Sequence, residues 1–194
     1  GRLTHARRSD AVIPGRPSAT AMVVAASVAR EGACHGLPEE SIDLARRALA
    51  AGGARGRLIA TLSRTALGRR LLTGLEALVI PGLARHHCRR KAWLWERVRR
   101  HAQAGQRLLW VGVGFDGLGR ALLSQEPGAQ VIETDHPDTL ARRHALVDGA
   151  EVTSMALALP GQHDALASLC RPGPTTLVCE GLLMYLPLLQ VQAT

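Results

Sequence analysis

Aromatic side chains are scarce, with three Trp, one Tyr and one Phe in 194 residues. A core must therefore be built from Ala, Leu and Val. Lysine is scarcer still: Lys91 is the only one, so the formal charge of +8 is carried almost wholly by arginine. A basic balance is compatible with nucleic-acid binding. Here the arginines are spread along the chain and no basic tract is interleaved with aromatics, so they read as a solvated surface and no nucleic-acid partner is expected. The densest cluster runs from Arg85 to Arg100. No apolar run approaches the ~20 residues that span a bilayer, so no membrane partner is expected either. Cys34, Cys88, Cys170 and Cys179 form no C-x-x-C pair. That argues against a zinc site or a disulfide framework and for reduced thiols in a cytoplasmic protein. His86 and His87 are adjacent and cannot face one way on a helix, so a metal role is not expected.

What is present is enough apolar residue, 46% of the chain, for a sizeable core. The N-terminal stretch Ala21–Ala29 follows basic residues and has the outline of a weak signal peptide. Pro17-Ser18 instead supplies a helix start, and the stretch is Ala-rich rather than Leu-rich, so a helix from Ser18 to about Glu31 is expected. The first residue is Gly rather than Met, which suggests that the native start is missing. Pro38 with Glu39 and Glu40 opens a second helix through Ala51, closed by Gly52-Gly53. Leu58 to Leu72 reads as a weaker helical segment, Pro81-Gly82 as a break, and His86 to Ala104 as a strong helix.

The pattern then changes. Arg107–Val111 is a short apolar run ending in glycines, which marks a buried strand. Leu118–Gln125 is helical, Gln130–Glu133 a second strand and Pro137–Val147 a helix with Pro in its first turn. Val152–Leu157 is a third strand, His163–Leu169 a helix and Thr175–Cys179 a fourth strand. Strands alternating with helices predict an α/β fold, a Rossmann-like parallel sheet with helices on both faces. The expected division is a helical region over 1–104 and an α/β core over 105–194.

Gly112, Gly114 and Gly117 spell G-x-G-x-x-G between the first strand and the next helix, and Glu133 and Asp135 follow about twenty residues on. Glycines let a ligand approach the backbone closely, and an acid ending the second strand can take both ribose hydroxyls. An adenosine-containing ligand is implied. A dinucleotide would set its pyrophosphate at the helix N-terminus, where Asp116 repels it. S-adenosylmethionine has no phosphate; its ammonium suits an acid there, and Arg90 is a candidate cation for its carboxylate.

The same residues resemble the leucine carboxyl methyltransferase family. Pro17–Ala21 with Val24-Ala25 and Ala29-Arg30 looks like its N-terminal helix signature, and Arg90-Lys91 followed by Glu96 resembles its Arg-Lys helix. Gly112–Asp116 is similar to its glycine loop, Ile132–Pro137 is close to its E-x-D-H-P motif, and Cys179–Pro187 nearly reproduces E-G-x-L-M-Y-L. The resemblance implies a class I S-adenosylmethionine-dependent methyltransferase fold. It implies that Arg90 holds the methionine carboxylate, that Gly112 and Gly114 line the cofactor, and that Asp135 binds the ribose with Glu133 supporting it. Glu180 would lie under the methionine moiety, and Tyr185 near the methyl group on the substrate side.

The implied reaction is O-methylation of a carboxyl or hydroxyl group, weakly favouring a small-molecule acceptor. A carboxylate is already ionised near pH 7 and needs no general base. Two features depart from the family. Thr153–Leu157 lacks the acid that usually follows the third strand, and the chain ends soon after the fourth-strand signature, so the family's C-terminal strands are expected to be missing. The alternatives are a truncated, non-catalytic remnant that keeps the cofactor-binding fold and, less favoured, a nicotinamide-dependent dehydrogenase. Nothing in the sequence sets an oligomeric state.

Overall fold

The computed structural model describes residues 19–147, 152–158, 162–170 and 173–182. Five helices come first: α1 (Ala19–Glu31), α2 (Glu39–Ala51), α3 (Ala54–Leu62), α4 (Ala66–Val79) and α5 (Leu83–Gln103). Ser18, the expected cap of α1, lies outside the described residues. Glu39 and Glu40 occupy the first turn of α2, where the helix dipole favours carboxylates. The segment expected as one weak helix over 58–72 is two. Thr65 ends its continuity by accepting the Gly68 amide at 3.0 Å as the N-cap of α4. The helix α5 starts at Leu83, three residues before the sequence reading, because Gly82 adopts φ 81° and turns the chain.

The helices α1, α2 and α3 close on α5 through Val28, Ile42, Ala45, Leu49, Ala60 and Cys88. The packing is Ala-rich, as the shortage of aromatics requires. The helix α4 turns Leu67, Leu71, Leu75 and Leu78 outward. Among the described residues, no helix is long and apolar enough to cross a membrane.

The second half alternates β1 (Arg107–Val111), α6 (Leu118–Gln125), β2 (Val131–Asp135), α7 (Pro137–His144), β3 (Thr153–Ala156), α8 (His163–Leu169) and β4 (Thr175–Cys179). The four strands form one parallel sheet in the order β3-β2-β1-β4. The chain is thus α/β with a parallel sheet flanked by helices. Central β1 is apolar from Leu108 to Val111 because both of its faces are covered there. Leu108 and Trp110 pack with Trp95 and Val98 of α5 and Leu118 and Leu122 of α6, while Leu109 and Val111 pack with Leu166 of α8.

Strand order reverses between β1 and β4. In open parallel sheets that switch point leaves a crevice outside the carboxyl ends of the strands, and ligands bind there. The residues that follow β1 and β4 are the glycine loop and Glu180.

Gly117 shows how the loop is seated. A Cβ there would stand 2.5 Å from Ser41 Cα and 3.0 Å from the Glu40 carbonyl oxygen, so the α6 end of the loop lies directly on α2. Backbone cannot swing aside as a side chain can. Gly117→Ala should lower stability by about 1–3 kcal/mol, read as a reduced urea midpoint at unchanged m-value. An unchanged midpoint would mean that α2 and α6 are not held together this closely.

Candidate functional site

The loop leaves β1 with the amides of Gly112 and Val113 both donating to the Thr134 carbonyl of β2, at 2.9 and 3.1 Å. Gly112 (φ 71°) and Gly114 (φ 53°) take left-handed conformations that side chains disfavour. A Cβ at Gly114 would meet nothing within 4 Å. Its empty side therefore faces open space at the crevice. The three glycines of the motif divide their roles: Gly112 and Gly114 shape the loop, and Gly117 makes room for α2.

The Gly114 peptide is gripped at both ends. Asp135, the last residue of β2, accepts its N–H at 2.7 Å through Oδ2, and the His136 N–H at 2.7 Å through Oδ1. Arg143 of α7 donates to the Gly114 carbonyl at 3.3 Å. Arg143 in turn meets Glu133 through Nε at 2.8 Å and Nη2 at 2.6 Å. Glu133 is 1% exposed. The two acids, two residues apart on β2, both act on the glycine loop, Asp135 directly and Glu133 through Arg143. Asp135 stays partly open beside the loop, whereas Glu133 is sealed under α6 and acts on the loop only through Arg143. The α6 helix passes so close that a Cβ on Gly119 would lie 2.7 Å from Glu133 Oε1. Burial pushes the Glu133 carboxyl up, and the Arg143 guanidinium recovers only part of that shift.

The other side of the loop centres on Lys91, which sequence reasoning did not single out. Its ammonium donates to Asp116 Oδ2 at 2.8 Å and to Glu180 Oε2 at 2.9 Å, and its side chain is 5% exposed. It ties α5, the glycine loop and the end of β4 together. The available signal was its rarity: one lysine among 24 basic residues, beside Arg90. Arg90 lies about two turns into α5 rather than at its start, and contacts Glu180 Oε1 through Nε at 2.9 Å and Nη2 at 2.8 Å. Burial alone would push the Lys91 amine down, but the facing Asp116 and Glu180 carboxylates hold it above its ordinary value. Burial opposes the charge of Asp116 as well, yet Lys91 and the Leu118 amide keep that carboxyl below its ordinary value.

Asp116 is therefore not an open acid waiting for a ligand's ammonium. Lys91 already fills that position, and Asp116 Oδ1 accepts the Leu118 N–H of α6 at 2.9 Å. Of the residues singled out from the sequence, Arg90, Asp116 and Glu180 come together through Lys91, and Gly114, Glu133 and Asp135 through Arg143. Tyr185 lies outside the described residues. Among the described residues, no three His, Cys, Asp or Glu side chains converge in a way that could hold a metal ion.

His87, one turn before Lys91 on α5, adds a buried contact to α1. The Ser27 hydroxyl lies 2.9 Å from His87 Nδ1 and 3.0 Å from the Val23 carbonyl oxygen. Burial first, and then the nearby Arg90 charge, lower its pKa below 6.5. Comparison with models of known protein families, with curated proteins and with solved structures finds no match to this chain.

Two outcomes follow for stability. Lys91→Met leaves the Asp116 carboxylate buried without its ammonium and Glu180 with Arg90 alone, and should cost about 3–5 kcal/mol; chemical denaturation reads the loss, and adding Asp116→Asn should restore part of it. The His87 window has the opposite sense to an ordinary paired histidine. Its folded pKa lies below 6.5, so the unfolded chain takes up a proton that the folded chain refuses. Stability then falls as pH drops from 6.5 towards the folded value, by at most about 1.4 kcal/mol per pH unit. Denaturation series for wild type and His87→Gln should diverge over that window, with the variant less pH-dependent; parallel curves would mean that His87 is not buried neutral.

Proposed function

We propose that this chain is the cofactor-binding core of a class I S-adenosylmethionine-dependent methyltransferase, of the leucine carboxyl methyltransferase kind, acting on a carboxyl or hydroxyl oxygen of a small molecule. The observation that carries the reading is the open side of Gly114 at the switch point, with Asp135 on one flank and the Arg90–Glu180 pair on the other. Those flanks match the two polar ends of the cofactor. Asp135 can accept from ribose hydroxyls, while Arg90, 38% exposed in its side chain, can take a carboxylate and Glu180 an ammonium. The strand order β3-β2-β1-β4 agrees with the first four strands of that fold.

A dinucleotide is disfavoured by occupancy more than by repulsion. Lys91 balances the charge of Asp116, but the Asp116 carboxylate already sits at the α6 N-terminus and uses the Leu118 amide that a pyrophosphate would need.

S-adenosylmethionine supplies a sulfonium methyl group: as the acceptor oxygen bonds to the methyl carbon, the carbon–sulfur bond breaks and its electron pair stays on sulfur. The chain's own task is to hold the two reactants in line. Asp135 and the glycine loop fix the nucleoside end, and Arg90 and Glu180 fix the amino-acid end. Lys91 holds the Glu180 carboxylate in place through its Oε2. An ionised carboxylate acceptor needs no base, so positioning supplies most of the rate, worth up to ~7–11 kcal/mol in favourable cases.

Calorimetric titration tests the reading. S-adenosylmethionine should bind and NADH should not. Asp135→Asn should weaken the former about 10–100-fold, the worth of hydrogen bonds to a charged group. Absence of S-adenosylmethionine binding by a chain with a cooperative unfolding transition would overturn the proposal.

A further inference from the structure

Beside the Arg90–Glu180 pair, α5 opens into a cleft of about 450 Å³ lined by Gly82, Arg85, His86, Arg89 and Arg90. It is a shallow hollow along one helix, more open to solvent than an enclosed ligand pocket. Its composition is unusual, since every side chain that lines it is a cation or can become one. Arg90 is committed to Glu180, but among the described residues no carboxylate pairs with Arg85 or Arg89.

The sequence arranges these groups against its own stability. Arg85 and Arg89 stand four residues apart on α5, and like charges at that spacing repel. They also crowd the first two turns of the helix, where the dipole favours anions and where α5 has no acidic residue. In α2 the same position carries Glu39 and Glu40. A bound anion would reverse both penalties. Guanidinium forks suit carboxylate or phosphate oxygens because they can donate two parallel hydrogen bonds.

We propose that the methyl acceptor carries, besides the oxygen that is methylated, at least one carboxylate or phosphate group, and that Arg85, His86 and Arg89 bind that second group. This rests on the methyltransferase reading above. The reaction itself separates the two groups. When a carboxylate attacks a sulfonium, opposite charges are consumed and the products are an ester and a thioether. Arginines clamped on the attacking oxygen would stabilise the charge being lost and bind the ground state more tightly than the transition state. The cationic cleft is useful only if it grips an anion that keeps its charge throughout. Arg90, shared by the cleft and the Glu180 pair, sets that grip next to the cofactor end of the site.

The test uses the full chain and two separable titrations. S-adenosylhomocysteine is titrated first, onto wild type and onto Arg85→Gln/Arg89→Gln. Citrate, inorganic pyrophosphate and, as a single-charge control, propionate are then titrated onto each protein with S-adenosylhomocysteine present. Citrate or pyrophosphate should bind at least tenfold more tightly than propionate, weaken as salt is raised, and lose at least tenfold in the double variant, with S-adenosylhomocysteine affinity unchanged. A preference for citrate identifies carboxylates as the anion read, and a preference for pyrophosphate identifies phosphates. Multivalent anions that bind no better than propionate, or that bind the double variant equally well, would overturn the proposal. So would a single-stranded RNA that displaces citrate and depends on the same two arginines, since the cleft would then belong to a nucleic-acid surface. Failure of S-adenosylhomocysteine to bind a folded chain overturns the methyl-transfer reading and the acceptor role with it, even where citrate still reports an anion site.

Discussion

The site depends on one buried ammonium. Lys91 stands between Asp116 of the glycine loop and Glu180 at the end of β4, nearly sealed from water. Each of the three charges would be costly alone in that environment; Lys91 offsets both carboxylates, and Arg90 also meets Glu180. The arrangement ties the glycine loop and the residue after β4 to α5, where the sheet order reverses. It also means that the crevice has a charged wall before any ligand enters it, with Arg90 at the outer edge of the same carboxylate.

The opposite wall uses a different device. Asp135 and Arg143 hold the N–H and the C=O of one residue, Gly114, and so the two peptide groups on either side of it, and Glu133 anchors Arg143 from beneath α6. A glycine in a left-handed conformation has many alternatives in an unheld loop. Here two charged partners leave it one. The open face of Gly114 is therefore preorganised, which reduces the ordering cost of binding a ligand there.

The two walls and the basic cleft share α5. Its inner face carries Cys88, Lys91, Trp95 and Val98 into the two cores, and its first turns carry Arg85, His86 and Arg89 outward. A helix so heavily cationic at its N-terminus is poorly matched to its own dipole, and its stability comes from the buried face rather than from its charges. That leaves the exposed turns free to serve recognition. The outward leucines of α4, by contrast, have no such chemistry around them.

Much of the architecture was legible in the residues alone. Short apolar runs bounded by turn residues, helix starts and stops, the glycine loop and the Pro-led α7 mark the alternating β and α elements without reference to anything distant. The break between α3 and α4 was missed because a single Thr cap outweighs a continuous apolar pattern. At the site, Gly112, Gly114 and Asp135 were readable because backbone conformation and strand ends are local properties. What only the tertiary structure decided is which charges meet. Lys91 finds Asp116 and Glu180 across 25 and 89 residues, and Glu133 meets Arg143, which holds the Gly114 carbonyl. Sequence determines the charge of a side chain, but burial and partners determine what that charge does, and both are set by segments that meet only when the sheet closes.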